Sequence, residues 1–587
     1  MIPRSTVMVL FVLAAFLTGH SDAAVTERPP ATPAEVWAGY DPRAEPLEVE
    51  VKRHWSEHGA DWTEFYFTGM TYEDSKVRIY AIYAAPTGGK NLPAVLHVHG
   101  GGQTVSPEWL RFWTGRGYAA LTFNWGGEWP GRKEFARWGK LRQGNHRECG
   151  AMAEATKPTV RASSWYLWTR VSRRALTALE RQPEVDPERL GFFGVSMGGS
   201  IVWPFAAMDR RVKAACAIYG VGWTTYPDEI GAPDPRAGDP VTRLWRQAME
   251  PESYAALVRC PVLFLSGTND HHGKMDWAYR TLDRDPAEKR QAFTPHCRHH
   301  IGADEGADLP LWMDAWLKGG AKPPASPAVR VDLDGAGVPR LTLRADAAAA
   351  VERVELFAAV ENRNPKNRFW RTVAGQERGG AWEASLPVLD THQPLYAFAN
   401  VHYRSGFCLS SNLVSVVPAD LGSARATDTP SLLIDDFAGG IGDWVTPSTA
   451  TDPVPPIPEL LRGVPGPDGV PGITVKQAIP ITTHKVGDPK WRGPAGAALQ
   501  FRVHVPAARK LRVVLHENEF ALGWKQYAKE IRLEPAPGWR TITLRAKDFA
   551  TDKGEVLSGW GVVRQLELAT DGGAGKEPVF TGFRWVK

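Results

Sequence analysis

Apolar and polar positions divide the chain into three regimes. From residue 24 to about 322, short apolar runs alternate with longer stretches of helical period. The runs 93–98 (PAVLHV), 118–123 (YAALTF), 190–195 (LGFFGV), 212–219 (VKAACAIY) and 261–266 (PVLFLS) carry too little polarity for a wet face. They read as strands covered on both sides, and 291–294 as one more short strand. Residues 109–116, 163–180, 196–208 and 308–317 read as helices. Strand–helix alternation predicts an α/β domain with a doubly wound, mostly parallel sheet. The Gly/Pro-rich linker 319–327 closes it.

The helical signal then disappears. Residues 329–333, 341–343, 354–357, 396–403 and 413–417 are short alternating strands, which predict a β-sandwich over 328–418. A polar bridge, 419–430, leads to a second all-β sandwich over 431–587, with strands at 501–505, 511–515, 541–544, 566–568 and 583–585. Within it, 463–474 (GVPGPDGVPGIT) makes four Gly-X-Y triplets. Collagen needs many more, so a loop is expected there. The segment 362–371 (NRNPKNRFWR) reads equally as a loop packed on the α/β domain and as a turn burying Trp370. At the other end, Arg4, the apolar run 7–17 and the small residues Ser21 and Ala23 describe a signal peptide over 1–23. The run is shorter than the roughly 20 residues that span a bilayer. The expectation is a secreted or periplasmic protein with no stable membrane insertion once the signal is removed.

Composition narrows the partners. The net charge is +4 over 587 residues, too small a bias for nucleic acid or an anionic membrane as the main partner. The 24 tryptophans exclude wholesale disorder. Sixteen lie at or before Trp316, two in the middle block and six from Trp444 onward, which favours a walled pocket in the first domain over a sugar-binding tail. In that tail, Trp524 and Tyr527 are the expected exposed pair. Five cysteines are too few for a disulfide scaffold, and their spacing names no pair.

Chemistry gathers in the first block. Gly194-Val195-Ser196-Met197-Gly198 lies between a predicted strand and a helix of small residues. A serine there sits on a tight turn that exposes its hydroxyl and aims a helix N-terminus at developing negative charge. Upstream, His99-Gly100-Gly101-Gly102-Gln103 follows a strand. Its free N–H groups, with that of Met197, would form an oxyanion hole; Gly101 and Gly102 are the expected donors and Gln103 the near miss. A serine nucleophile needs a base, and the base an orienting acid. Asp270 stands just past the strand 261–266, with Asp276 as the fallback. His299 is the expected base, with His300 and then His296 as rivals in the same loop. The histidines here show no zinc-motif spacing, so no metal and no other cofactor is expected. The long segment 124–162 is expected to cap the pocket, with Trp125 and Trp129 touching substrate.

From about Trp37 to Gly319 the chain resembles the α/β-hydrolase superfamily. Within it, the resemblance is to the secreted group related to acetyl xylan esterases and dienelactone hydrolases. HGGGQ (99–103), GVSMGG (194–199), GTND (267–270), HCRHH (296–300) and YDPR (40–43) carry it. Superfamily members usually show one histidine in the final loop, so the pair His299 and His300 leaves the base open between them. The third block resembles jelly-roll carbohydrate-binding modules through its DDF opening (435–437) and its closing strand. The resemblance implies a secreted serine esterase acting on a polysaccharide or a small ester. Two other classes stay in view: a prolyl-oligopeptidase-like peptidase, and a glycan-binding protein whose hydrolase domain is inactive.

Overall fold

The computed structural model describes residues 29–149, 159–222, 238–446, 453–476, 479–517, 525–571 and 576–587. The expected signal peptide and Trp524 lie outside them. A nine-stranded sheet organises the first domain: β1 (Glu50–Glu57), β2 (Ala60–Tyr72), β3 (Ser75–Pro86), β4 (Leu92–Val98), β5 (Ala119–Phe123), β6 (Val185–Val195), β7 (Val212–Ile218), β8 (Val262–Gly267) and β9 (Lys289–Thr294). Their order is β1-β2-β3-β5-β4-β6-β7-β8-β9. From β5 across to β9 every neighbour pair is parallel, the doubly wound core that the alternation predicts. Strands β1 to β3 add an antiparallel extension joined at β3–β5. The second half of β2 is buried on both faces and β1 is largely exposed, so neither shows the alternation of a half-buried strand.

Helices Pro107–Thr114, Ser164–Glu180, Met197–Met208, Met275–Arg284 and Asp308–Leu317 flank the sheet. The first two start where Ser106 and Ser163 accept hydrogen bonds from backbone N–H groups of the first turn. The tryptophan excess sits in this core. Trp62, Trp109, Trp113, Trp125, Trp168, Trp203, Trp277 and Trp312 are all fully buried, so most of the expected pocket wall is packing. All five cysteines carry free thiols. Among the described residues no helix is long and apolar enough to cross a membrane.

Two antiparallel sheets, one built on Ala328–Leu333 and Pro339–Arg344 and the other on Val351–Val360 and Leu395–Tyr403, make the middle block. Trp370 is buried in its segment, and that segment also packs on the first domain, so the two readings of 362–371 hold together. Two further antiparallel sheets form the third block. There the expected loop 463–474 is a hairpin instead, pairing Leu461–Pro465 with Pro471–Val475. Its prolines face each other at the turn end of an edge strand, where missing N–H groups cost least. Tyr527 is buried, not exposed: it lies opposite Leu515 in the ladder and belongs to the sandwich core.

Arg371 ties the two β-domains together. Its Nε donates to Asp488 at 2.9 Å, one terminal nitrogen to Asp428 at 2.7 Å, and the other to the second Asp488 oxygen. Asp488 is itself buried, and burial pushes its carboxyl above the usual range. Arg371→Ala leaves that group without its guanidinium. A loss of about 3–5 kcal/mol is expected for breaking a buried pair from one side. Urea denaturation followed by tryptophan fluorescence checks it, and an unchanged midpoint would contradict the account.

Candidate active site

β6 delivers Ser196 at its carboxyl end. The backbone there turns through φ 57° and ψ −116°, a left-handed conformation that non-glycine residues rarely adopt. Small neighbours make the turn possible. A Cβ on Gly194 would sit 2.2 Å from the Gly198 carbonyl oxygen, and one on Gly198 would sit 2.2 Å from that of Val98. The Ser196 N–H donates to Ile218 O on β7 at 2.8 Å, and the helix Met197–Met208 begins at the next residue.

Asp270 follows β8 and is fully buried. One carboxylate oxygen accepts the backbone N–H groups of His272 and Gly273. The other lies 2.6 Å from His299 Nδ1. Burial alone would raise this carboxyl; the adjacent His299, with His271 and His272, outweighs it and holds the group below the usual range. His299 Nε2 lies 2.9 Å from Ser196 Oγ. The tautomer that satisfies both contacts carries its proton on Nδ1, donates it to Asp270, and accepts from the serine.

The rivals do not join this chain of contacts. His300, pushed down by burial, bonds neither Ser196 nor Asp270 among the described residues. His296 is buried and stacks on Phe369, ring centroids 5.0 Å apart. Asp276 pairs with Arg368 through both carboxylate oxygens, at 2.5 and 2.9 Å.

The glycine loop after β4 passes over the serine. A Cβ on Gly100 would lie 3.2 Å from Ser196 Cβ, but the Gly100 N–H is taken by Gln103 Oε1 at 2.6 Å. Gln103 therefore closes the loop with its side chain. Gly101 is exposed and lies against the Met197 side chain, whereas Gly102 (φ 71°) lies under the Trp129 ring. Trp129 is half-buried beside this loop, with the Arg147 guanidinium 5.2 Å from its ring. Trp125 corrects the expectation of substrate contact. It is fully buried, stacks on His99 at 4.8 Å, and donates to His99 O at 3.0 Å. It props the loop from behind, because its indole fills the space between β4 and Trp168.

Two features escaped the sequence reading. His272 reaches Ser196 from a second side: its Nδ1 lies 3.3 Å from Ser196 Oγ, and its Nε2 lies 3.1 Å from Ser200 Oγ. The run DHHG announces imidazoles near Asp270, but nothing in it tells which one turns inward. The second feature is a clamp from the middle domain. Asn269 Nδ2 donates to Arg368 O at 2.7 Å and Lys366 O at 3.0 Å, fixing the loop that carries Asp270. The histidine loop joins the same frame, since Asn269 N donates to Cys297 O and His296 N to Thr268 Oγ1, both at 2.9 Å.

Ligand atoms of Asp270, His271 and His299 come within 4.8 Å of one another, the spread a metal ion requires. Two of them are also committed to each other: the 2.6 Å contact between Asp270 and His299 is closer than two ligands held about 2 Å from one zinc would sit. The geometry of Ser196, His299 and Asp270 is one that could draw a proton from the serine hydroxyl beside a helix N-terminus.

Residues 143–291 match the dienelactone hydrolase family; the matched segment holds Ser196 and Asp270 and stops short of His299. Among solved structures, the chain is similar to an acetyl xylan esterase from Paenibacillus sp. at 19% identity, covering 47% of this chain and 91% of that one with a TM-score of 0.39. It is similar to acetyl xylan esterase 1 from Thermoanaerobacterium sp. at 19% identity, covering 46% and 88% with a TM-score of 0.35. A puromycin-hydrolyzing peptidase from Mycobacterium tuberculosis is similar at 19% identity, covering 43% and 39% with a TM-score of 0.32. No curated protein matches the sequence significantly. The first domain has the α/β-hydrolase fold by its sheet order and its serine turn.

The clamp carries a test. Asn269→Ala frees the acid loop from the middle domain, and a small displacement of Asp270 suffices to misalign His299. A fall in kcat of about tenfold or more is expected, with KM nearly unchanged and the fold intact by circular dichroism. An unchanged kcat would mean that the loop holds its place without its neighbour.

Proposed function

We propose that the chain is a secreted serine esterase that removes acyl groups from a polysaccharide. One observation carries the reading: Ser196 Oγ, His299 and the buried Asp270 form an unbroken chain of contacts of 2.9 and 2.6 Å at a strand-to-helix turn. Ser196 attacks the ester carbonyl while His299 Nε2 takes its proton, and Asp270 holds the ring and stabilises the imidazolium. The N–H groups of Gly101, Gly102 and Met197 receive the charge on the carbonyl oxygen. His299 then protonates the leaving sugar oxygen, and water cleaves the acyl-enzyme by the same steps in reverse.

Trp129 is the aromatic surface available to a sugar ring beside this loop, since it is half-buried whereas Trp125 is enclosed. The third domain offers a second contact. A cleft of about 990 Å³ between the two β-domains is lined by Phe369, Arg378, Asp436 and Trp491, a polar groove with aromatic edges. The apolar run 7–17, with its basic start, supports export to where such polymers occur. The acetyl xylan esterases among the similar structures agree with acetylated xylan as the first substrate to try.

Ser196→Ala is expected to lower turnover of p-nitrophenyl acetate by at least about a thousandfold, and acetate release from acetylated xylan in parallel. Equal turnover by the two proteins would remove the serine from the mechanism. Activity on the small ester with none on the polymer would leave the mechanism standing and remove the substrate.

A further inference from the structure

Ser196 faces two imidazoles, and only His299 has a part in the steps above. The His272 ring lies between two hydroxyls four residues apart, with Nδ1 at 3.3 Å from Ser196 Oγ and Nε2 at 3.1 Å from Ser200 Oγ. It is 3% exposed, and its backbone N–H is one of the two that bind Asp270. Both its position and its orientation are therefore fixed by elements that also fix the serine and the acid.

Proton counting assigns the tautomer. The Ser196 hydroxyl has one proton, and it must point at His299 Nε2 for that ring to remove it. His272 can then bond Oγ only as a donor, with its own proton on Nδ1. Its Nε2 is left as an acceptor, which the Ser200 hydroxyl satisfies.

We propose that His272 is a further catalytic residue: a neutral N–H donor to Ser196 Oγ that acts mainly when the acyl-enzyme breaks down. The proposal rests on the serine-esterase reading. In that second half-reaction, water bonds to the acyl carbon as His299 takes its proton. The bond from carbon to Ser196 Oγ then breaks, its electron pair passes to Oγ, and the proton on His299 follows. As the bond breaks, charge gathers on Oγ, where the His272 N–H points, and a donor fixed in advance at that atom lowers the barrier. No proton leaves His272 at any step. In acylation the same hydrogen bond occupies a lone pair of the attacking oxygen, so the benefit there is smaller. Burial, reinforced by the neighbouring His299, pushes His272 down to about 3, which keeps the ring from taking up a second proton.

Stopped-flow hydrolysis of p-nitrophenyl acetate separates the two half-reactions. His272→Ala is expected to release about one p-nitrophenol per site in a burst, followed by deacylation at least about tenfold slower than wild type. His272→Asn, which restores a side-chain N–H, is expected to recover part of that rate. Ser200→Ala, which frees the tautomer while leaving the ring in place, is expected to shift deacylation the same way by less. Wild-type deacylation in both His272→Ala and Ser200→Ala would overturn the proposal, as would a loss confined to the burst rate. Should His272→Ala not fold, unchanged deacylation in Ser200→Ala is sufficient to overturn it. Undiminished hydrolysis by Ser196→Ala would instead overturn the serine-esterase reading itself.

Discussion

A single buried charge governs the arrangement of this molecule. Asp270 is wholly removed from water, and an ionised carboxylate in that position costs several kcal/mol unless each lone pair finds a partner. Its partners are two backbone N–H groups of its own loop and the imidazole of His299. They stay aligned only if the loop itself is rigid. Part of that rigidity comes from outside the α/β domain, because Asn269 donates into the backbone of the segment that carries Lys366 and Arg368. Arg368 returns the contact by pairing with Asp276, at the start of the next helix. Phe369 of the same segment stacks on His296, three residues before His299. The acid and the histidine thus share one wall, and the middle domain is that wall.

The same interface solves a second problem. β9 ends the nine-stranded sheet, and a terminal strand presents unpaired backbone groups that invite association. Side chains of the middle domain cover them. The Phe293 N–H donates to Ser410 Oγ at 2.8 Å, and Phe293 O accepts from Asn400 Nδ2 at 3.0 Å. Ser410 and Asn400 also bond each other at 2.6 Å, so the pair is buried with its polar atoms satisfied. β9 runs directly into the loop of His296 to His300. Closing its edge and steadying the loop of His299 are therefore one structural act, and the α/β unit by itself would lack both.

Local steric demands were legible in the sequence, whereas long-range choices were not. The turn at Ser196 could be read because it needs small residues at fixed offsets, and Gly194 and Gly198 meet backbone oxygens at distances no side chain tolerates. The position of Asp270 followed from the end of a buried apolar strand. What separates His299 from His300 is a one-residue difference in direction along an irregular loop, and composition carries no trace of it. His272 was hidden for the same reason. The 463–474 segment went astray because its glycines and prolines argue for a loop, whereas pairing across the hairpin decides otherwise. β2 and β3 lack a clear two-residue period because most of each is buried on both faces, and β1 lacks one because it is exposed along nearly all of its length.

The tryptophans show why a count is a poor guide to a site. An indole that recognises a ligand normally has its N–H wet or bonded. The indole N–H groups of Trp62, Trp109, Trp113 and Trp312 instead are buried with no acceptor among the described residues. Leaving such a group unpaired costs about 1–3 kcal/mol. A ring retained at that cost is retained for its volume. A broad twisted sheet leaves wide gaps beneath its flanking helices, and an indole fills more of such a gap than any other side chain. Trp109 and Trp113 do this under one helix, packed on Phe193 of the strand that leads to the serine. The rings that fix the sheet therefore fix Ser196 at a distance, whereas the half-buried Trp129 stands over Gly102 beside the serine.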